Sequence, residues 1–124
     1  MNFVETIAVT ANTTMKSPVR TKVSVGKGFV LSHDIRLLSG TDLTVSLRVF
    51  HQGKQIIPRN NEAVLFPVAI FMNLPDFIPI LQPPYEVIIE TANSTGSGAT
   101  VAVVLFMVSP DELEMMSGYR AAKP

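Results

Sequence analysis

Apolar and polar residues alternate with a period of two along most of this chain. In Val19-Arg20-Thr21-Lys22-Val23-Ser24-Val25 the apolar or β-branched positions alternate strictly with polar ones, which predicts a strand with one dry and one wet face. Leu43-Thr44-Val45-Ser46-Leu47-Arg48-Val49 repeats the pattern, and Tyr85-Glu86-Val87-Ile88-Ile89-Glu90-Thr91 does so with carboxylates on its outer face. Phe3 to Ala11 and Phe29 to Leu37 are noisier strands of the same kind. Thr100 to Val108 is apolar at every second position and at most positions between. Its valines and the Gly-rich turn before it favour a strand over a buried helix, so it is expected to lie centrally in a sheet, covered on both faces.

The turns are written in the expected residue types. Gly26-Lys27-Gly28 and Ser39-Gly40-Thr41-Asp42 separate strands. His51-Gln52-Gly53-Lys54 predicts a tight hairpin with Gly53 at positive φ, and Pro58-Arg59-Asn60-Asn61 ends the return strand. Asn93 to Gly98 is expected to be a flexible connection. One helix is predicted, over residues 110–117. Ser109 is its N-cap, Pro110 its first residue and Glu112 the closing member of a capping box, with Gly118 as the stop and a flexible tail over 119–124. About eight short strands spaced by such turns make an all-β sandwich or barrel. With 124 residues, the chain fits one domain, read as an antiparallel β-sandwich with a short C-terminal helix.

Ala63 to Pro84 departs from this pattern. Five of the nine prolines fall here (Pro67, Pro75, Pro79, Pro83, Pro84), together with a single charge, Asp76. Proline cannot occupy central ladder positions, so the stretch is expected to be edge strand and irregular loop. A surface segment this apolar suits a protein contact, which nominates Leu65, Phe66, Ile70, Phe71, Met72, Phe77, Ile78, Ile80 and Leu81 as interface residues. The alternative is that it folds back as a core segment crossing between the sheets.

Composition points the same way. Hydrophobic residues make up 47% of the chain and charged residues 16%, against about 25% in ordinary domains. A domain of this size keeps much of its area on the surface, so part of the apolar excess should be exposed unless a partner covers it. Ten basic residues balance ten acidic ones, which leaves no global field to draw nucleic acid or membrane. The halves differ: residues 1–62 hold eight basic and four acidic groups, residues 63–124 two and six. Interleaved strands would cancel this difference; complementary patches on neighbouring copies are the other reading. Without cysteine there are no disulfides or thiolate metal sites. The N-terminal residues lack the features of a signal peptide, and the most apolar run, Ala99 to Val108, is about half a bilayer span, so a cytoplasmic origin without membrane insertion is expected. The triplets Asn12-Thr13-Thr14 and Asn93-Ser94-Thr95 are read as turn residues rather than glycosylation acceptors.

The search for chemistry yields no catalytic, metal-binding or cofactor-binding residue. His33 and Asp34 are adjacent on a strand and so face opposite ways, His51 sits at a hairpin shoulder where polar residues are expected, and two separate histidines are too few for a zinc site. Glu86 and Glu90 share a face about 13 Å apart at strand rise, too far for an acid/base pair, and are read as solvated. Arg20, Lys22 and Lys27 form a modest basic stripe without interleaved aromatics, so no specific nucleic-acid partner is expected. A hydrolase or isomerase would need a convergent polar pocket around His33 and His51. A ligand- or carbohydrate-binding module, of a tail fibre or cell surface, would use loop-tip residues such as Tyr85, His51, Gln52, Asn60 and Asn61.

A family resemblance bears on these alternatives. Val19 through Pro58, and Gln82-Pro83-Pro84-Tyr85-Glu86-Val87-Ile88-Ile89-Glu90 on to Val108, resemble small jelly-roll capsid or capsid-decorating proteins of bacterial and archaeal viruses. In these an opening strand like Ile7-Ala8-Val9-Thr10-Ala11-Asn12 precedes a Val-Arg-Thr-Lys strand, and a later strand ends near a turn like Gln55 to Pro58. The resemblance implies a jelly-roll-like sandwich in the virion that works by self-assembly. It would contact copies of itself and other virion proteins through the 63–84 insertion and the C-terminal helix.

Overall fold

A computed structural model describes residues 2–41, 43–60, 63–69 and 73–115. Eight strands follow one another: β1 (Asn2–Val9), β2 (Val19–Ser24), β3 (Gly28–Ser39), β4 (Val45–His51), β5 (Lys54–Ile57), β6 (Asn73–Ile80), β7 (Glu86–Asn93) and β8 (Ala99–Val108). They form two four-stranded sheets: sheet I in the order β1-β8-β3-β6, and sheet II in the order β2-β7-β4-β5. All pairings between these strands are antiparallel. β1 pairs with β8, β2 with β7, β3 with β6 and β4 with β5, so the chain runs as one long hairpin folded between His51 and Lys54 and then rolled up. The β8–β3 and β7–β4 pairings complete the two sheets, which is the wrapping of a jelly roll. The expected all-β sandwich of about eight strands is the fold observed.

The period-two pattern decides which side chains meet between the sheets. Val45, Leu47 and Val49 of β4 and Val87 and Ile89 of β7 face Val30, Ile35 and Leu37 of β3 and Val101, Val103 and Leu105 of β8, and all are buried. The noise in the third predicted strand has a structural cause. Relative to β8, β3 carries an extra residue, Leu31, between Val30 and Ser32. The bulge resets the phase, so that Val30 opposite Met107 and His33 opposite Leu105 both point inward.

At the hairpin both central residues take positive φ, Gln52 at 53° and Gly53 at 74°, as a two-residue turn matched to strand twist requires. At Gly28, the carbonyl oxygen of Val108 occupies the space that a Cβ would fill, so only glycine lets β3 start this close to the end of β8. The connection after β7 is fastened, contrary to the flexible loop expected. Asn93 is fully buried; its Oδ1 accepts from the Thr95 N–H (3.0 Å) and hydroxyl (2.8 Å), and its Nδ2 donates to the Ser97 carbonyl (2.8 Å). Thr13 N donates to the Asn93 carbonyl at 2.9 Å, which ties the β1–β2 connection to the same point. Asn93 is thus the buried last residue of β7 rather than part of the loop.

The C-terminal helix covers residues 110–115 of the described chain. Its capping box is formed as predicted: Glu112 N donates to Ser109 Oγ (3.1 Å) and Ser109 N to Glu112 Oε1 (3.0 Å). Residues 116–124, with the rest of the predicted helix and tail, lie outside the described residues.

The proline-rich stretch divides into two parts. Residues 63–69 lace the open side of the sandwich: Leu65 exchanges two backbone hydrogen bonds of 2.8 Å with Leu47 of sheet II, and the Val68 carbonyl accepts from Leu37 N of sheet I at 2.9 Å. β6 then forms the edge of sheet I, where Pro75 and Pro79 interrupt no interior ladder.

Replacing Gly28 with alanine is expected to cost about 1–3 kcal/mol, because a rigid backbone carbonyl must move. Gly96→Ala, with no atom within 4 Å of its new Cβ, should be near neutral. Urea denaturation of both variants checks this; equal midpoints would contradict it.

Candidate interaction face

β8 lies at the centre of sheet I; the described residues cover its inner face fully and its outer face only in part, where the expectation was cover on both. Thr100, Ala102, Val104, Phe106 and Val108 alternate with its core residues and therefore stand on the outer face. The register arranges their neighbours. Val104 lies between Val4 of β1 and Asp34 of β3, Phe106 between Asn2 and Ser32, and Val108 opposite Phe29, which in turn faces Pro79 of β6. The Phe77 ring stacks on Phe29 with centroids 5.0 Å apart. The outer face of sheet I thus carries an apolar patch of Val4, Phe29, Phe77, Pro79, Val104, Phe106 and Val108, beside the polar Asn2, Thr6, Ser32, Asp34 and Arg36. Val4 is 63% exposed, Phe77 is 49% exposed, and the three β8 side chains are half-buried. Its main ionic feature is the contact of Arg36 with the buried Asp34 carboxylate at 3.2 Å.

The nominated interface residues separate accordingly. Phe77 belongs to this face, and Phe66 and Leu81 are exposed beyond it. Leu65 is partly buried against the core. Ile78 and Ile80 are core residues: they alternate with Pro79 and point between the sheets, which removes them from any surface. Ile70, Phe71 and Met72 lie outside the described residues. Val4, Phe29, Val104, Phe106 and Val108 were not nominated from the sequence, although the two-faced apolarity of Thr100 to Val108 carried the signal.

The outer face of sheet II is chemically opposite. Arg20, Glu90 and Arg48 stand side by side on β2, β7 and β4, and the Nε of each arginine donates to a different Glu90 oxygen at 2.8 Å. Lys22 lies 3.8 Å from Glu86, and the Arg48 guanidinium sits 5.4 Å from the centroid of the Phe50 ring. Glu90 was expected to be solvated; its side chain is only 7% exposed, because the long arginine stems on either side cover it. Together with Arg59–Asp76, these pairs join bases of the first half to acids of the second. At these positions the charge asymmetry along the chain is cancelled within the fold.

The histidines are both buried. His51, at the hairpin shoulder where the sequence places it, ends β4 with its Nδ1 donating to the Glu86 carbonyl at 2.8 Å. His33 faces inward while Asp34 faces outward, as alternation predicts, and its Nε2 lies 3.6 Å from Asp76 Oδ2. Burial pushes the His33 pKa below 6.5 despite the neighbouring Asp76 and Asp34 charges. For Asp76 burial acts upward, but hydrogen bonds from Arg59 and from the Phe77 N–H, with the Arg59 charge, hold its carboxyl below the ordinary value. Among the described residues, no group of three or more His, Asp or Glu is placed to hold a metal ion. Of the loop-tip candidates, Tyr85 packs against the core, Gln52 Nε2 donates to the Pro83 carbonyl at 2.9 Å, Asn60 is exposed and Asn61 lies outside the described residues.

No protein-family model matches the chain, and no curated protein matches it. No helix among the described residues is long and apolar enough to cross a membrane.

The His33 shift sets a sign for pH dependence. Below 6.5 the unfolded chain takes up a proton at this position that the folded state resists, so stability falls with acidification from there downward. Asp76 acts in a lower window, its contribution being lost as pH drops through a folded value below 3.8. Between about pH 7 and about pH 5, His33→Gln should flatten the fall in Tm seen for the unaltered chain. Parallel slopes in the two proteins would refute the assignment.

Proposed function

We propose that this chain is a structural, self-assembling protein of a virus particle, a capsid or capsid-decorating subunit that contacts copies of itself and other virion proteins. One observation carries the reading: the outer face of sheet I carries an apolar patch across β1, β8, β3 and β6 while that of sheet II is charged. The described residues make two layers and supply no third with which to cover such a face. The jelly-roll wrapping, one that recurs in viral capsid domains, agrees with the setting that the sequence resemblance implies. Four strands about 4.8 Å apart and eight residues long present about 500 Å². Two such faces together remove about 1,000 Å² from water, the lower bound of a specific interface.

Light scattering coupled to size-exclusion chromatography tests the proposal on the full chain. An oligomer is expected, and Val104→Lys should reduce it to a monomer with little loss of Tm, since the substituted position is only half-buried in the isolated chain. A monomer at all concentrations, or an oligomer indifferent to Val104→Lys, contradicts it.

A further inference from the structure

Two charged features are left without full partners among the described residues. The first is on the outer face of sheet II. Glu90 takes only the Nε of Arg20 and of Arg48; Arg48 Nη2 also donates to the Met15 carbonyl at 3.4 Å, and donors remain on the terminal nitrogens of both guanidinium groups, most of them on Arg20. With Lys54, Phe50 and Ile88 these arginines line a shallow concavity of about 740 Å³. Three cations stand there against one carboxylate. Because the carboxylate fixes one edge of both guanidinium groups, they are pre-organised for an acid rather than waving in solvent.

The second feature is the C-terminal helix, residues 110–115, which contains Asp111, Glu112 and Glu114 and no base. Glu112 is engaged by Ser109. Asp111, Glu114 and Met115 are spaced i, i+3, i+4 and so share one helix face, all three exposed. No ion pair among the described residues involves these carboxylates. The helix continues from β8 of sheet I, whereas the concavity opens on the outer face of sheet II.

We infer that the acidic helix of one copy docks in the basic concavity of the next, the carboxylates of Asp111 and Glu114 meeting Arg20, Arg48 and Lys54, and the Met115 thioether lying on Phe50. The match is one of charge and of soft apolar contact, sulfur on an aromatic ring included. It rests on the self-assembly reading and gives it a direction. Each copy offers one helix and one concavity, so the contact is head-to-tail and propagates into a ring or an open filament.

Lys54→Glu and Glu114→Lys test it, since neither side chain is in an ion pair of the described fold. Circular dichroism establishes that each folds, and light scattering at about 0.05 M and about 0.5 M NaCl reads assembly, the range over which screening of such contacts changes most. Either variant alone should assemble only at a concentration about tenfold higher or more, and the unaltered chain should weaken in high salt. An equimolar mixture of the two variants should recover assembly, because every alternating contact again joins opposite charges. An oligomer that is unaffected by either variant, or one that is lost without recovery in the mixture, overturns this inference and leaves the self-assembly reading standing. An unaltered chain that stays monomeric overturns both.

Discussion

A sandwich of two sheets has one dry side per sheet, and β8 carries apolar side chains on both of its faces. The inner set, Val101, Val103, Leu105 and Met107, is fully used in the core. The outer set, with Val4, Phe29 and Phe77 beside it, is half-used. Rolling a single long hairpin places the last strand next to the first and third, so this two-faced strand necessarily becomes the middle of sheet I. Sheet II meets the same geometry with different residues: its middle strand carries Glu90 outward, and two arginines neutralise and cover it. Among the described residues, one sheet is therefore finished by the chain's own side chains and the other only in part.

The edges of the sheets are blunted against strand addition. β6 presents Pro75 and Pro79, and β5 is only four residues long with Leu65 taking up the ladder beyond it. β2 follows Pro18 and carries Arg20 and Lys22, while β1 places Glu5 on the same side as Phe3 and Ile7. Proline, short strands and inward or outward charge are each ways of discouraging strand addition. With its edges blunted, the molecule offers neighbours a broad apolar face, a basic concavity and an acidic helix.

Much of this was legible in the residues. Period two located the strands, Gln52-Gly53 the hairpin, and Ser109 with Glu112 the helix start, because each depends on neighbours in sequence. What was not legible depends on neighbours in space. Alternation puts Glu90 on the outer face but cannot tell that arginines from two other strands will cover it. Ile78 and Ile80 were grouped with Phe77 because the prolines hid the alternation that separates them. Asn93 was taken for a loop residue, yet extending the alternation of Val87, Ile89 and Thr91 by one step would have placed it inside.

Self-assembly as proposed requires that another copy of this chain cover the outer face of sheet I. Attenuation of methyl NMR signals by a neutral, soluble paramagnetic probe reads that cover directly. At assembling concentrations the methyls of Val4, Val104 and Val108 should be shielded, and they should become accessible to the probe on dilution. Methyls that are strongly attenuated at every concentration would mean the face is open to water, and the proposal would be wrong.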